Sequence, residues 1–224
     1  DWSGYNFQSL APSLDFMSPE GYALRASSDS CLQLVFAAAY ARYTKPGAPV
    51  MLKEYGKHVW SGSNFGDISL QLAEQKNYYE HVLQKAYAAH ISALYCWFFP
   101  GGYRINENSD YGIFNPDGSD RPVTALLREY APKFLALGTP PAEGEVISIE
   151  RSDYPAGITG MFNAVFSRLD AADKAGKHVI FTDSNGLQPA FADELADIAV
   201  GGYRLENGET APLQHVNGQV MRLE

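Results

Sequence analysis

Cysteine, basic charge and long apolar runs are what this sequence has least of. Only two of its 224 residues are cysteines, Cys31 and Cys96, which give neither a disulfide framework nor the paired spacing of a zinc site. Both are expected to be free and packed in the interior. Lys and Arg number 17 against 26 Asp and Glu, for a net charge of −9. No basic run stands anywhere, so a phosphate backbone finds no counter-charge and nucleic acid is not an expected partner. No apolar run approaches the roughly 20 residues of a membrane span. The N-terminus has neither a start methionine nor a basic-then-apolar leader, and the expectation is that the chain begins within something longer. Also missing are a Gly-x-Ser-x-Gly elbow, a phosphate-binding loop and His-Glu-x-x-His, and the five His are scattered rather than set at ligand spacing. Gly101-Gly102 lacks the third glycine and acidic partner of a dinucleotide fingerprint.

Apolar residues make up 46% of the chain, ample for a core, and aromatic residues 13%, as 14 Tyr, 12 Phe and 3 Trp. Such rings both fill interiors and stack on the apolar faces of sugars. The apolar pattern alternates between two periods. Leu14 to Ser18 is a short run closed by Pro19-Glu20-Gly21-Tyr22. Residues 29 to 43 carry Leu32, Val35, Phe36, Ala39 and Tyr43 at helical spacing, with Asp29 as an N-cap. Lys45-Pro46-Gly47 ends that helix, and Pro49 to Glu54 reads as a buried strand that runs into a carboxylate and breaks at Gly56. Asp67 is placed to cap a long helix to about His90. Ile91 to Phe99 is another buried strand, ended by Pro100-Gly101-Gly102. A loop with the turn Pro116-Asp117-Gly118 leads to a helix opened by Asp120 and Pro122 and running to about Leu137. The order is strand, helix, strand, helix, strand, helix, which suits the repeating units of a parallel α/β enzyme.

Thr139-Pro140-Pro141 is the best domain boundary, dividing the chain into 1–138 and 139–224. Beyond it, Glu145 to Glu150 alternates like a strand, Ala156 to Ala175 is helical, His178 to Thr182 is a strand and Pro189 to Val200 a second helix. Asn207-Gly208 and Asn217-Gly218 sit between short apolar runs as hairpin turns. The expectation is a small mixed α/β accessory domain with no nameable chemistry.

The stretch Glu54-Tyr55-Gly56 at a strand end resembles the seventh strand of the clan of retaining glycoside hydrolases built on the (β/α)8 barrel, the superfamily of β-galactosidases, cellulases and mannanases. Two flanking stretches extend the resemblance. Leu14-Asp15-Phe16-Met17-Ser18 leading to Tyr22 is similar to the sixth strand, although Glu20 stands where the family commonly shows His. Leu94-Tyr95-Cys96-Trp97-Phe98 is similar to the eighth strand, and Asp110 to Pro122 to the loop that follows it. The resemblance covers about residues 10 to 137 and implies an α/β fold: the C-terminal βα units of a TIM barrel, followed by the accessory domain. It implies Glu54 as the catalytic nucleophile, Tyr22 as the hydroxyl that holds it and Trp97 as the floor of the sugar subsite. His58 and Trp60, beyond Glu54, and Tyr103 and Arg104, after the eighth strand, are placed near a sugar. No metal or cofactor is implied, because two carboxylates suffice for this chemistry. Secretion suits a polysaccharide-degrading enzyme.

A retaining glycosidase needs a second carboxylate about 5 Å from the nucleophile. In this clan that acid/base follows an Asn at the end of the fourth strand, and no such strand precedes Glu54. Asn106-Glu107 lies on the wrong side of the motif order. Glu20 is the only substitute, and the resemblance gives it no such role. The expected function is therefore a glycoside hydrolase completed by an upstream part of the same enzyme, with a carbohydrate as substrate. The alternatives are a non-catalytic carbohydrate-binding or structural protein that kept the aromatic cleft, and an unrelated α/β module in which Glu54 is structural. The last is distinguished by whether the three strands lie side by side with Glu54, Tyr22 and Trp97 converging.

Overall fold

A computed structural model describes residues 11–19, 31–62, 66–149 and 157–183, together with the strands 202–204, 210–216 and 219–222. Glu20, Tyr22 and Asp29, the second helix expected over 189–200, and the turn residues Asn207, Gly208, Asn217 and Gly218 lie outside the described residues.

Two parallel strands stand side by side, and the run expected as a strand over Leu14 to Ser18 joins them only through a one-residue parallel bridge at Met17, after a 3-10 turn over Ala11–Ser13. The edge at Met17 bridges Val50, with Met17 N–H donating to Pro49 O (3.0 Å) and Met51 N–H to Met17 O (2.9 Å). β1 (Met51–Tyr55) pairs in parallel with β3 (Ala93–Cys96) through Met51↔Ala93, Leu52↔Leu94 and Tyr55↔Cys96. The register is irregular between Leu52 and Tyr55, so both of these side chains are buried although they are three residues apart. The side-by-side order of Met17, β1 and β3 is the one the resemblance implies.

Helices connect the strands and pack along one face. α1 (Leu32–Thr44) runs between Met17 and β1, α2 (Ile68–Ala88) between β1 and β3, and α3 (Pro122–Leu135) follows β3. Asp67 caps α2 as expected, its carboxylate accepting from Ser69 N–H at 2.8 Å. Pro122 opens α3, where its missing N–H costs nothing. The core beneath them joins Leu34, Val50, Leu52, Tyr55, Tyr79 and Ile91.

The stripe read from the sequence on α1 faces elsewhere. Leu32, Phe36, Ala39 and Tyr43 join a second core with Ile147, Met161, Leu169 and Phe181, while Leu34, Ala38 and Ala41 join the core on the strand side. α1 is thus buried on two sides. Its outer partner is a parallel pair, β5 (Glu145–Ile149) with β6 (Val179–Asp183), joined by α4 (Gly157–Lys174). Phe36 sits at the junction, its ring 5.5 Å from Phe162 and 5.4 Å from Phe181. Further on, β7 (Gly202–Arg204), β8 (Thr210–Val216) and β9 (Gln219–Arg222) form an antiparallel sheet in that order.

Candidate active-site cleft

The site is built where β1 and β3 end. Trp97 N–H donates to Tyr55 O at 2.7 Å, carrying the ladder one residue past β3. Gly56 is required by this approach, since a Cβ there would lie 2.0 Å from the Trp97 carbonyl oxygen. Each letter of Glu54-Tyr55-Gly56 thus has its own setting. Tyr55 is core, Gly56 makes room for Trp97, and Glu54 is half-buried in the irregular stretch of β1.

Two loops rise from these strand ends and are stitched together. β2 (Trp60–Ser61) pairs antiparallel with β4 (Ser109–Asp110), and Val59 N–H donates to Asp110 O at 2.7 Å. From α2, the buried Gln75 amide donates to Lys57 O (3.0 Å) and Gly112 O (2.9 Å), one bond to each loop. At the centre is a buried ion pair. Asp110 and Arg121 have side chains 2% and 1% exposed, with Arg121 Nη2 2.7 Å from Asp110 Oδ2. The same carboxylate accepts from Gly102 N–H (3.1 Å) and Gly112 N–H (2.9 Å), while Arg121 also donates to Gly112 O (2.6 Å) and Asn115 Oδ1 (3.1 Å). Such a pair is tolerated in the interior because hydrogen bonds beyond the pair serve both the carboxylate and the guanidinium.

Between the loops lies a cleft of about 680 Å³, whose walls include His58, Ser61, Trp97, Glu107, Asn108 and Tyr111. The His58 ring stands edge-on to Tyr111 at 5.5 Å. Burial, and then the Lys57 charge, hold the His58 pKa below its ordinary value against the opposing pull of Glu74. A neutral imidazole both donates and accepts, which suits hydroxyl groups. The Tyr111 hydroxyl is pushed up by burial and by the Glu107 charge, so it stays protonated. Trp97 Nε1–H donates to Glu107 Oε2 at 3.3 Å, and the Trp97-Phe98 peptide is cis. Arg104 pairs with Glu107 at 2.8 Å, its guanidinium 5.0 Å from the Trp97 ring centroid and 4.4 Å from that of Phe98.

Of the residues singled out in the sequence, the cleft brings together His58 and Trp97. Trp60 is on β2 at its edge, Arg104 lies over Trp97, and the Tyr103 hydroxyl donates to Asn108 Oδ1 at 3.4 Å. Glu54 stands on β1 upstream of His58 and is not part of the cleft wall. Sequence reasoning missed Gln75, Asp110 and Arg121 as the braces of the site and set Glu107 aside by motif order. Asp110 and Arg121 lay inside the quoted loop, and two opposite charges flanking a turn in an apolar neighbourhood were the available signal. Among the described residues, no cluster of His, Cys, Asp or Glu could hold a metal ion, and no helix is long and apolar enough to cross a membrane.

No family model matches the sequence, and no curated protein matches it. Solved structures do match by shape. A GH5_18 variant from Streptomyces cattleya in complex with Manβ1-4GlcNAc aligns with a TM-score of 0.54 at 15% identity, over 86% of this chain and 49% of that one. A GH5_18 variant from Bifidobacterium longum subsp. longum, in complex with the same disaccharide, aligns with a TM-score of 0.56 at 14% identity, over 86% and 48%. GH5_18 from Streptomyces cattleya in complex with GlcNAc gives 0.50 at 14% identity, over 86% and 49%. The chain spans about half the length of these structures. At such identity the likeness is one of fold: this mixed α/β chain resembles about half of a clan A TIM-barrel glycoside hydrolase.

Proposed function

We propose that this chain is the C-terminal part of a (β/α)8 retaining glycoside hydrolase, with residues 1–138 supplying the last barrel units and residues 139–224 an accessory domain. Glu54 is the nucleophile, attacking the anomeric carbon to form a glycosyl-enzyme. Trp97 lies under the sugar ring, with His58, Trp60, Tyr103 and Arg104 around it, and Tyr22 holds the Glu54 carboxylate. The observation that carries the reading is the adjacency of β1 and β3, which deliver Glu54 and Trp97 to the same rim of a parallel sheet, where active sites of such folds collect. The irregular register at Glu54 supports it, since bulges re-aim side chains beside active sites.

Retention needs an acid/base on the other side of the glycosidic bond, and an upstream part of the enzyme supplies it in this reading. The open face of the sheet points the same way. Leu94 and Cys96 pack toward the helices, so Tyr95 between them projects to the opposite side, where it is 59% exposed. Phe16, beside the buried Met17, is 44% exposed. Parallel strands are normally covered on both faces, and the remaining barrel strands would cover these.

The test is Glu54→Gln in the polypeptide that includes the upstream units. Loss of hydrolysis by several orders of magnitude, with binding of Manβ1-4GlcNAc retained, is expected; undiminished turnover would remove Glu54 from the mechanism. A second reading, a carbohydrate-binding protein without catalysis, is favoured by the cleft wall itself, which holds Trp97 and Glu107 but not Glu54. In that case sugar binding survives in both forms and no hydrolysis is seen in either.

A further inference from the structure

We propose that Glu107 is a positioning residue, holding the Trp97 indole at the angle at which the cleft presents it. The inference deepens the reading of Trp97 as a sugar platform and rests on it. Trp97 follows the last residue of β3, so the strand fixes its backbone while its half-buried side chain reaches toward the cleft. A platform must be ordered before its ligand arrives, because the entropy of ordering it otherwise weakens binding. Something beyond core packing has to fix this ring.

Three side chains close a triangle around it. The indole N–H meets Glu107 Oε2 at 3.3 Å, Glu107 Oε1 meets Arg104 Nη1 at 2.8 Å, and the Arg104 guanidinium lies 5.0 Å from the indole centroid. Each edge is weak alone, because Arg104 and Glu107 are about one-third exposed. Closure makes them act together: turning the indole breaks its bond to Glu107 and its contact with Arg104 at once.

The carboxylate is held from behind as well. Glu107 ends a short 3-10 turn, Ile105–Glu107, clasped by Arg104 N–H to Ser109 O (2.8 Å) and Glu107 N–H to Arg104 O (3.1 Å). Asn108 takes the left-handed conformation, φ 49°, that returns the chain into β4. β4 in turn is fixed by the Asp110–Arg121 pair. Ile105 is 81% exposed, so the turn is kept by polar contacts and not by burial of its apolar side chain. Rigidity therefore runs from the buried ion pair through the turn to the Glu107 carboxylate and the Trp97 ring.

The experiment follows the three indole N–H resonances of the full chain, assigned by single Trp→Phe changes, in Glu107→Ala, Glu107→Gln and Arg104→Gln. Glu107→Ala should shift the Trp97 resonance and speed its exchange with water while leaving the other two in place. Glu107→Gln keeps an acceptor oxygen and should restore much of the signal, and Arg104→Gln should move the same resonance by removing the other edge. Titration with Manβ1-4GlcNAc should weaken about threefold to tenfold in Glu107→Ala, the size of one hydrogen bond. An unmoved Trp97 resonance in both Glu107→Ala and Arg104→Gln overturns the proposal, whether or not sugar binds. If the resonance moves but the parent chain binds no sugar, the positioning role stands and the platform reading falls.

Discussion

Replacing Arg121 with the unbranched, uncharged Met, by Arg121→Met, leaves the buried Asp110 carboxylate with only two backbone donors, Gly102 N–H and Gly112 N–H. Breaking a buried pair from one side costs about 3–5 kcal/mol, because the surviving charge is uncompensated. Against the roughly 5–15 kcal/mol that keeps a domain folded, this is a large fraction. The partner change Asp110→Asn retains shape and some acceptor capacity but loses the charge, and should cost about 2–4 kcal/mol. The double variant is informative. If the cost comes from stranded charge, Asp110→Asn with Arg121→Met loses much less than the sum, with a coupling of at least about 1.5 kcal/mol. Full recovery is not expected, since Arg121 also serves Gly112 O and Asn115 Oδ1. Urea unfolding of the four proteins, followed by far-ultraviolet circular dichroism and Trp fluorescence, measures the cycle. A single-variant cost under about 1 kcal/mol, or costs that simply add, would refute the assignment of this pair as the brace between the two loops.

Two further outcomes are expected. Stability should fall as pH drops from about 6.5 toward 4, because burial first, then Arg42 and His90, hold the His178 pKa down to about 4. In that window the unfolded chain binds the proton and the folded one does not, so the contribution is complete above 6.5 and lost as pH falls. His58 adds in the same direction. Urea midpoints at pH 7 and pH 4.5 should differ less in His178→Gln than in the parent, and equal differences would exclude His178 as a source. Phe36→Ala removes the ring between Phe162 and Phe181 and should cost about 3–5 kcal/mol. Limited proteolysis should then cut β5–α4–β6 before the helices around β1, and uniform protection would show that Phe36 is not the junction.

The periodic parts of the fold were legible because each element repeats its own chemistry. Period 3.6 over residues 68 to 88, with Asp67 ahead of it, left few alternatives to a capped helix, and Pro122 announced the start of α3. Short apolar runs at Val50–Leu52 and Ile91–Leu94 read as buried strands, and they are neighbours in one sheet. α1 was legible as a helix but not as a shared one. A stripe of Leu32, Phe36, Ala39 and Tyr43 states that a face is buried, not what buries it, and small residues such as Ala38 and Ala41 carry little signal for a second face. The cleft was less legible. Asp110 and Arg121 sit on loop and cap positions with no period to expose them, and Gln75 looked like any polar helix residue until α2 brought it beneath both loops. Trp97 and His58, singled out through the family resemblance, both line the cleft. Glu107 was passed over because motif order describes strands, whereas a loop can fold back onto its own strand end.

The double burial of α1 bears on how such chains can be recombined. Thr139-Pro140-Pro141 is an inviting joint for exchanging C-terminal modules between related proteins. Yet Leu32, Phe36, Tyr40 and Tyr43, far upstream of that joint, form part of the wall on which β5, α4 and β6 rest. A graft made at the prolines would set a foreign module against a surface matched to another, or leave four large side chains facing water. A viable crossover has to carry the outer face of α1 with it, so the heritable unit is a discontinuous one, a helix and a distant tail that can change only together.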